Sequence, residues 1–418
     1  MSNKHLLFSL IISLFLFSCS QESPEIIIAP PVQEEPTKPV EEPITAATVN
    51  LEARFNATFE NTFYPSWWYA ISNYSASSGI QEDPSFIVSY NEPKVNTSIK
   101  IEFEETLINQ KTIIEQVSNS KGNLVVLAPK INWDYQGLKE ISSPGTLSVP
   151  VNLYVDNALI STKYISINYR SVNECLFIYK NEGEVVEAYD MFASYVNEDH
   201  SKIDGVLREI LDQGITESFV GYQRGNDGVI NQLVGIWYWM QSKGIKYSSI
   251  TDTSFTSPSG NLASQYIRFF DEVLNNTQAN CVDGTVFIAS ILKKIGISPQ
   301  LVLVPGHMYL SLNSAEEGRI YLIETTMVGE VDLRLITNAN HIYDYYSKDY
   351  LSELEYEQYL LGQASFDQTK YRISRNSLSK AINTASNNYS NNSDKFFEQD
   401  FYHIIDVDDS RQKINPIK

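Results

Sequence analysis

The segment from Asn280 to Gly296 reads NCVDGTVFIASILKKIG, and its apolar residues recur at three- and four-residue steps, as on the buried face of a helix. Cys281 stands at the start of this helix, and Asp283 lies in the first turn, where the helix dipole favours negative charge. Two lysines in the last turn, followed by Gly296, mark its end. The segment therefore predicts a buried helix that begins at a cysteine, whose thiolate the unpaired N–H groups of the helix start would stabilise.

Two short strands follow the helix. The first, residues 307–312, alternates apolar and polar residues from His307 onward, and the second covers residues 319–326 after the turn-rich stretch 313–318. If the two ends of that stretch pair with each other, His307 pairs directly with Glu324. Directly paired residues have Cα atoms about 4.5 to 5.5 Å apart, which allows a hydrogen bond between side chains on one face.

Cys281, His307 and Glu324 thus form a candidate catalytic set, in which Glu324 orients the imidazole and His307 activates the thiol. Each residue also has an ordinary structural interpretation, because a lone cysteine on an apolar helix is usually a small core residue. A disulfide between Cys281 and Cys175 is a further alternative, since an exported protein could form one.

A cysteine that opens a buried helix, a histidine at the start of one strand and an acid at the end of the next resemble the transglutaminase-like superfamily of papain-type thiol enzymes. The resemblance covers about residues 200 to 330, and the family's order of cysteine, histidine and aspartate falls on Cys281, His307 and Glu324. The chain departs from the family in two ways. Glu324 replaces the usual aspartate, and Met308 and Tyr309 follow the histidine where the family often has tryptophan.

The resemblance implies an α+β domain that acts on an amide or peptide bond of a peptide or protein substrate through an acyl-enzyme on Cys281. Hydrolysis, crosslinking and deamidation share the first half of that reaction, so all three stay open. No cofactor is implied. The alternative from another class is a non-catalytic envelope module for binding or assembly that uses the same cleft.

Two residues upstream of the cysteine, Gln265 and Asn280, are candidates for binding an oxyanion beside the N–H groups of the helix start. Gln232 has an equally suitable side chain, but its helical context favours a solvating role on a helix surface.

Residues 1–19 are typical of a lipoprotein signal peptide, with Lys4 before a short apolar stretch and a lipobox-like LFSC ending at Cys19. Cys19 would then carry a lipid that holds the protein at a membrane. Ser20, rather than aspartate, favours the outer membrane by resemblance to enteric lipoproteins. The alternative is an ordinary secretory peptide, and no later stretch is long and apolar enough to span a bilayer.

Residues 20–48, rich in proline and glutamate, predict an extended tether. Residues 49–172 contain several alternating apolar stretches, with a two-residue turn at Asp156 and Asn157, and they predict an all-β immunoglobulin-like sandwich. This part contains the tryptophans Trp67, Trp68 and Trp133. Tryptophans in a sandwich are either stacking platforms for carbohydrate or, more commonly, core residues.

Residues 173–418 change to helical periodicity, with apolar stripes ending at Gly214 and Gly244 before the cysteine helix and the strands. We expect a multidomain chain in which the sandwich precedes an α+β transglutaminase-like, papain-like domain. The part beyond residue 331 predicts a loop at 383–393 and a late strand at 401–407, which would wrap the domain or complete its sheet.

Charge limits the possible partners. The chain has 31 Lys and Arg against 51 Asp and Glu, a formal net charge of −20, so its surface would repel nucleic acid. Phosphate-binding loops, dinucleotide fingerprints and metal-ligand spacings do not occur in the sequence, and its five histidines are scattered. The sequence thus favours a lipid-anchored envelope protein with a peptide or protein substrate.

Overall fold

The computed structural model of the 418-residue chain describes residues 43–72, 85–181, 183–249, 254–316, 320–397 and 402–417. From Ile44 onward the chain forms one compact unit. The signal peptide, Cys19 and nearly all of the tether lie outside the described residues. Among the helices of the described part, none has the length and apolar character needed to cross a membrane.

Alternating apolar residues in the described part of residues 49–172 form eight strands. They are β1 (Glu52–Phe55), β2 (Thr62–Phe63), β3 (Phe86–Asn91), β4 (Ser98–Phe103), β5 (Thr112–Val117), β6 (Leu124–Leu127), β7 (Gly145–Val155) and β8 (Ala158–Tyr169). The strand orders are β1-β3-β6 and β2-β8-β7-β4-β5, antiparallel except for the parallel pair β2 and β8. The predicted turn between β7 and β8 is confirmed, because Asp156 and Asn157 adopt φ angles of 47° and 66°.

The expectation that this part is all-β is not confirmed, because it also contains α1 (Ala46–Val49), α2 (Pro65–Ala70) and α3 (Tyr135–Lys139). Helix α2 carries Trp67 and Trp68, which are only 5% and 7% exposed. The rings of Trp68 and Trp133 lie 5.1 Å apart. These tryptophans therefore belong to the core and are not carbohydrate platforms.

The second part begins with a mixture of strands and helices. Its strands are β9 (Glu174–Asn181), β10 (Glu184–Glu187), β11 (Lys246–Tyr247), β12 (Ser254–Thr256), β13 (Leu262–Tyr266), β14 (Gln278–Ala279), β15 (Pro299–Val304), β16 (His307–Asn313) and β17 (Ile320–Ile323). Its helices are α4 (Ile203–Asp212), α5 (Gly225–Lys243), α6 (Phe270–Asn276) and α7 (Cys281–Lys294). The predicted helices are confirmed, and the left-handed Gly244 ends α5 at φ 67°.

In its described residues, the C-terminal part adds four α-helices and a strand. They are α8 (Ala339–Ser347), α9 (Glu353–Leu360), α10 (Phe366–Asn392), β18 (His403–Asp406) and α11 (Val407–Ser410). The predicted loop at 383–393 is wrong, because all but its last residue belongs to α10. That polar segment is helical because Ala381 and Ala385 are fully buried on one of its faces. The predicted late strand is confirmed, and as β18 it pairs antiparallel with β15.

Four antiparallel strands in the order β17-β16-β15-β18 form the sheet that bears His307. Helix α7 packs on β15 and β16, and α10 packs on β17. Met308 belongs to the apolar cluster on the α7 side, whereas Tyr309 lies in a second cluster with Ala385 of α10. The sheet is therefore covered on both faces by helices.

One apolar cluster continues from Phe63 in the first part through Leu176 to Phe287 of α7. The architecture is thus a mixture of α and β structure in both parts of the chain. The division of the chain near residue 172 into separate domains stays a prediction.

Candidate active site

Helix α7 begins with a capping box. The Asn280 side-chain oxygen accepts a hydrogen bond from the Asp283 N–H at 2.8 Å, and an Asp283 carboxylate oxygen accepts one from the Asn280 N–H at 2.9 Å. Cys281 follows as the first helical residue and is partly exposed. The structure thus gives Asn280 the role of a helix cap beside the thiol, and its part in an oxyanion hole stays a prediction.

The other oxyanion candidate, Gln265, lies on β13 opposite Cys175 of β9. Its side-chain nitrogen donates to the Tyr266 carbonyl at 3.0 Å, and its oxygen accepts from the Ser254 hydroxyl at 2.9 Å. These contacts hold β12 against β13. The structure therefore shows Gln265 in a structural role, and its part in an oxyanion hole also stays a prediction.

The interpretation of Gln232 as a solvating residue is wrong, since it is only 1% exposed. Its side-chain oxygen accepts from the N–H groups of Val220 and Gly221, at 2.9 and 3.0 Å, and its nitrogen donates to the Gly221 carbonyl at 2.8 Å. A buried amide needs such partners, and here they are the backbone groups of the loop before α5.

The predicted register of the β16–β17 hairpin is wrong by two residues. Asn313 pairs with Ile320 and Leu310 with Ile323, so the connection is two residues longer than the predicted one. Continued to the start of β16, this register would place His307 opposite Thr326. A shift of two residues keeps every side chain on its predicted face, whereas a shift of one would not.

His307 and Glu324 nevertheless meet. The Nε2 atom of His307 lies 2.7 Å from Oε2 of Glu324. The other carboxylate oxygen, Oε1, accepts hydrogen bonds from the N–H of Thr326 at 3.2 Å and from its hydroxyl at 2.5 Å. Glu324 is only 9% exposed, and its own N–H donates to the Ala381 carbonyl of α10 at 3.2 Å. Both ends of the residue are therefore held in place.

The Cys281 side chain also acts on His307, because it is one of the groups that raise the pKa of the imidazole. Since Nε2 is occupied by Glu324, Nδ1 is the ring nitrogen left for the thiol. Burial by itself lowers the pKa of His307, but the hydrogen bonds and charges of Cys281 and Glu324 outweigh it and raise this pKa to about 10. Burial raises the pKa of Glu324, but the hydrogen bond and charge of His307, with the bonds from Thr326, lower it below its usual value. The arrangement favours a charged imidazolium beside the Glu324 carboxylate.

Cys175 and Cys281 are both free thiols, so the structure does not contain the disulfide alternative. Cys175 is fully buried, and burial raises the pKa of its thiol well above the usual value. An inert buried thiol and a partly exposed thiol beside a histidine thus occur in the same chain.

Sequence reasoning missed Arg268, which lies before α6. Its guanidinium Nη1 is 2.6 Å from Oδ2 of Asp283, and its backbone N–H donates to Oδ1 at 2.8 Å. The Asp283 side chain is completely buried, and burial raises its pKa despite the hydrogen bonds from Asn280 and Arg268. Asp283 was the signal in the sequence that could have led to Arg268, because a carboxylate on a buried helix face requires a partner.

Two threonines link the start of α7 to the segment after Glu324. The Thr285 hydroxyl donates to the Cys281 carbonyl at 2.7 Å and lies 3.1 Å from the Thr325 hydroxyl. The segment that carries the acid is thereby held against the turn that carries the thiol.

Among the described residues, no group of three or more His, Cys, Asp or Glu side chains could hold a metal ion. No family model matches the chain, and no curated protein matches it.

Proposed function

We propose that this protein is a thiol enzyme of the transglutaminase-like type that cleaves an amide or peptide bond through an acyl-enzyme on Cys281. The observation that carries the proposal is the position of His307, whose Nε2 lies 2.7 Å from a buried carboxylate and whose pKa is raised by the Cys281 side chain. This is the arrangement required of a base that takes a proton from a thiol and is oriented by an acid.

The fold supports the proposal. A helix that begins at the nucleophile packs on an antiparallel sheet whose neighbouring strands carry the histidine and lead to the acid. For the first part, we propose an immunoglobulin-like sandwich. Its two sheets meet through Phe86 of β3 and Phe103 of β4, whose rings are 5.2 Å apart, and β2 pairs parallel with the last strand β8.

In the proposed reaction, the thiolate of Cys281 attacks the carbonyl carbon of the substrate, and a sulfur–carbon bond forms. The N–H groups of Cys281 and Val282 at the helix start would bind the oxyanion, since that of Asp283 already donates to the Asn280 side chain. The carbon–nitrogen bond then breaks, and the imidazolium of His307 gives its proton to the leaving amine. In the second half, His307 takes a proton from water, which attacks the thioester and releases the acid and the thiolate.

The acceptor determines the outcome. Water as acceptor gives hydrolysis, and a second amine gives crosslinking. If the thiolate attacks the side-chain amide of a glutamine, ammonia leaves, and water then completes a deamidation. We favour hydrolysis of a peptide at the cell envelope, with the protein anchored by a lipid on Cys19. The support for that location is the sequence of residues 1–48. The structure describes only residues 43–48 of this segment.

The proposal is tested by thiol labelling in a Cys19→Ser chain, which keeps Cys175 and Cys281 only. Iodoacetamide should modify Cys281 of the native protein, because His307 stabilises its thiolate, and should leave the buried Cys175 unmodified. His307→Ala should slow the labelling of Cys281, and Cys281→Ser should abolish labelling of the native chain. Labelling of Cys281 at an unchanged rate in His307→Ala would contradict the proposed role of the histidine.

Turnover is tested on a library of peptides and glutamine-containing proteins, with Cys281→Ala as the control. Loss of all cleavage, transfer and deamidation in Cys281→Ala supports the enzyme. A labelled thiol without any turnover would instead favour the non-catalytic binding module.

A further inference from the structure

A groove of about 480 Å³ lies between the five-stranded sheet β2-β8-β7-β4-β5 and the strands β12 and β13. None of the residues that line it belongs to the Cys281, His307 and Glu324 set. This volume falls within the range of roughly 300 to 1,000 Å³ that is typical of small-molecule sites. Its walls combine two aromatic rings, Tyr169 and Phe255, with uncharged polar side chains. The polar side chains are those of Thr62, Thr146, Asn168 and Ser257.

One aromatic wall is Tyr169 at the end of β8, which pairs with Gly145 of β7. A Cβ atom on Gly145 would lie 2.3 Å from the phenol oxygen of Tyr169 and 2.5 Å from the adjoining ring carbon. The ring therefore extends across the space that any other residue at position 145 would fill. Glycine at this position thus allows the ring to lie close against β7, where it lines the groove.

The second aromatic residue of the groove is Phe255 of β12. The guanidinium carbon of Arg170 lies 4.3 Å from the centre of its ring. Arg170 is fixed in turn by Glu174, whose Oε2 lies 2.8 Å from the guanidinium and also accepts a hydrogen bond from Ser264 at 3.0 Å. Phe255 is therefore supported by Arg170, which directly follows β8.

The two charged side chains of the groove both have partners within the protein. Arg170 is paired with Glu174, and Glu60 accepts hydrogen bonds from Asn261, at 2.9 Å, and from Ser259. Such a groove presents aromatic surface and neutral hydrogen-bonding groups, and it offers little to an ionic ligand.

Glu60 lines the groove at a turn that it forms with Asn61. Both residues adopt left-handed backbone conformations, with φ of 53° and 57°, which cost energy for residues other than glycine. The bonds of Glu60 to Ser259 and Asn261 connect this turn to the segment before β13 and hold it in that conformation. The groove is therefore formed before any ligand arrives.

From this chemistry we propose that the groove binds neutral sugar units of a glycan. A pyranose ring has a C–H face that stacks on an aromatic ring and a rim of hydroxyl groups that can bond to Thr62, Thr146, Asn168 and Ser257. These side chains already make hydrogen bonds within the protein, but each hydroxyl or amide keeps further donor or acceptor capacity. The site goes beyond the proposed reaction, because none of its groups belongs to the Cys281 constellation. It would hold the protein on a glycan or select substrates that carry one.

The test titrates the full chain with cellotriose and with chitotriose and follows binding by calorimetry. We expect at least one trisaccharide to bind at millimolar concentration. Tyr169→Ala and Phe255→Ala should each weaken binding by about five- to tenfold, because each removes a stacking surface. Tyr164→Ala is the matched control, since this tyrosine lies on the same strand, is 71% exposed and does not line the groove.

Gly145→Ala provides a second arm that removes no aromatic ring. The new methyl group should displace the Tyr169 ring and weaken binding, while thermal unfolding shows whether the fold is intact. Cys281→Ser should bind the trisaccharide as the unchanged chain does, so the result does not depend on the proposed enzyme. Failure of both sugars to bind, or equal binding by Tyr169→Ala, Phe255→Ala and Tyr164→Ala, would overturn the proposal.

Discussion

At the scale of single residues, the length of the Glu324 side chain is matched to the register of the hairpin. The observed register would place Thr326, not Glu324, opposite His307, so Glu324 becomes a diagonal neighbour. Diagonal neighbours on paired strands are about 7 to 8 Å apart, compared with about 4.5 to 5.5 Å for direct pairs. A glutamate spans the longer distance, and its Oε2 reaches Nε2 of His307 at 2.7 Å.

The first prediction concerns this reach. Glu324→Gln should keep the fold but lower turnover by roughly 10²- to 10⁴-fold, because an amide can donate its N–H to the ring and favour the wrong tautomer. Glu324→Asp should lose about as much, because the shorter arm no longer meets the imidazole. Kinetics of the two variants with the same substrate decide the matter. An aspartate variant close to the unchanged protein would show that charge, and not reach, controls the histidine.

The pH dependence of stability follows from the same pair. The pKa of His307 rises from 6.5 to about 10 on folding, so its contribution is complete below pH 6.5 and is lost as the pH rises towards 10. The pKa of Glu324 is lowered from 4.5, so its contribution is complete above pH 4.5 and is lost as the pH falls below that value.

We therefore predict that the unchanged protein exceeds Glu324→Gln in unfolding free energy most strongly between about pH 4.5 and 6.5. The difference should shrink as the pH is raised towards 10, because the imidazole then loses its proton in the folded state as well. Urea denaturation at several pH values measures it. If the difference in unfolding free energy between the two proteins increased with pH, Glu324 would not be what raises the pKa of His307.

At the scale of elements, the start of α7 is positioned from outside the helix. Asp283 accepts hydrogen bonds from the backbone N–H groups of Asn280 and Arg268 and from the Arg268 guanidinium. Because burial raises the pKa of Asp283, the carboxylate is held at some cost in free energy. The ion pair thus serves mainly to fix the helix start, and with it Cys281, against the segment before α6.

Breaking this pair should be far more damaging than breaking a surface pair. Asp283→Asn leaves Arg268, whose side chain is 14% exposed, without a carboxylate, and we predict a loss of about 3 kcal/mol or more in unfolding free energy. The matched control is Asp212→Asn, which removes a pair with Arg208 whose side chains are 64% and 77% exposed. That change should cost no more than about 0.5 kcal/mol. Equal losses in chemical denaturation would contradict the structural role of Asp283.

At the scale of the whole molecule, the C-terminal residues close the structure. Strand β18 pairs with β15, and α10 covers the face of the same sheet that is opposite α7. The last residues then return to earlier parts of the chain, since the N–H of Asn415 donates to the Ala70 carbonyl and that of Ile417 to the Ser194 carbonyl, each at 2.7 Å. The sheet that holds His307 is therefore complete only when the C-terminal part has folded.

The prediction at this scale concerns the anchor. If Cys19 carries the proposed lipid, Cys19→Ala should move the protein from the membrane fraction to the soluble fraction, because the attachment site would be lost. Its thermal unfolding should not change, since the compact unit begins only at Ile44, beyond most of the tether predicted for residues 20–48. Cell fractionation measures the first and calorimetry the second. Unchanged partitioning into membranes would contradict the lipobox.

The sequence by itself determined the elements whose signals are local. The ends of α7 follow from the capping residues around Cys281 and from Gly296, and the turn of the β7–β8 hairpin follows from Asp156 and Asn157. The three candidate site residues were identified in the same way, because each stands at the end of an element. Such signals depend on neighbours within a few residues, which the sequence displays directly.

Only the tertiary structure decided the features that depend on distant partners. The register that makes Glu324 a diagonal neighbour depends on how α10 and β16 hold β17, and the helical state of residues 383–392 depends on the burial of Ala385 against the sheet. The contact of Arg268 with Asp283 joins residues from two separate elements. Burial and pairing across the chain outweigh local preference at these positions, because the free energy of packing exceeds the small propensities of polar segments.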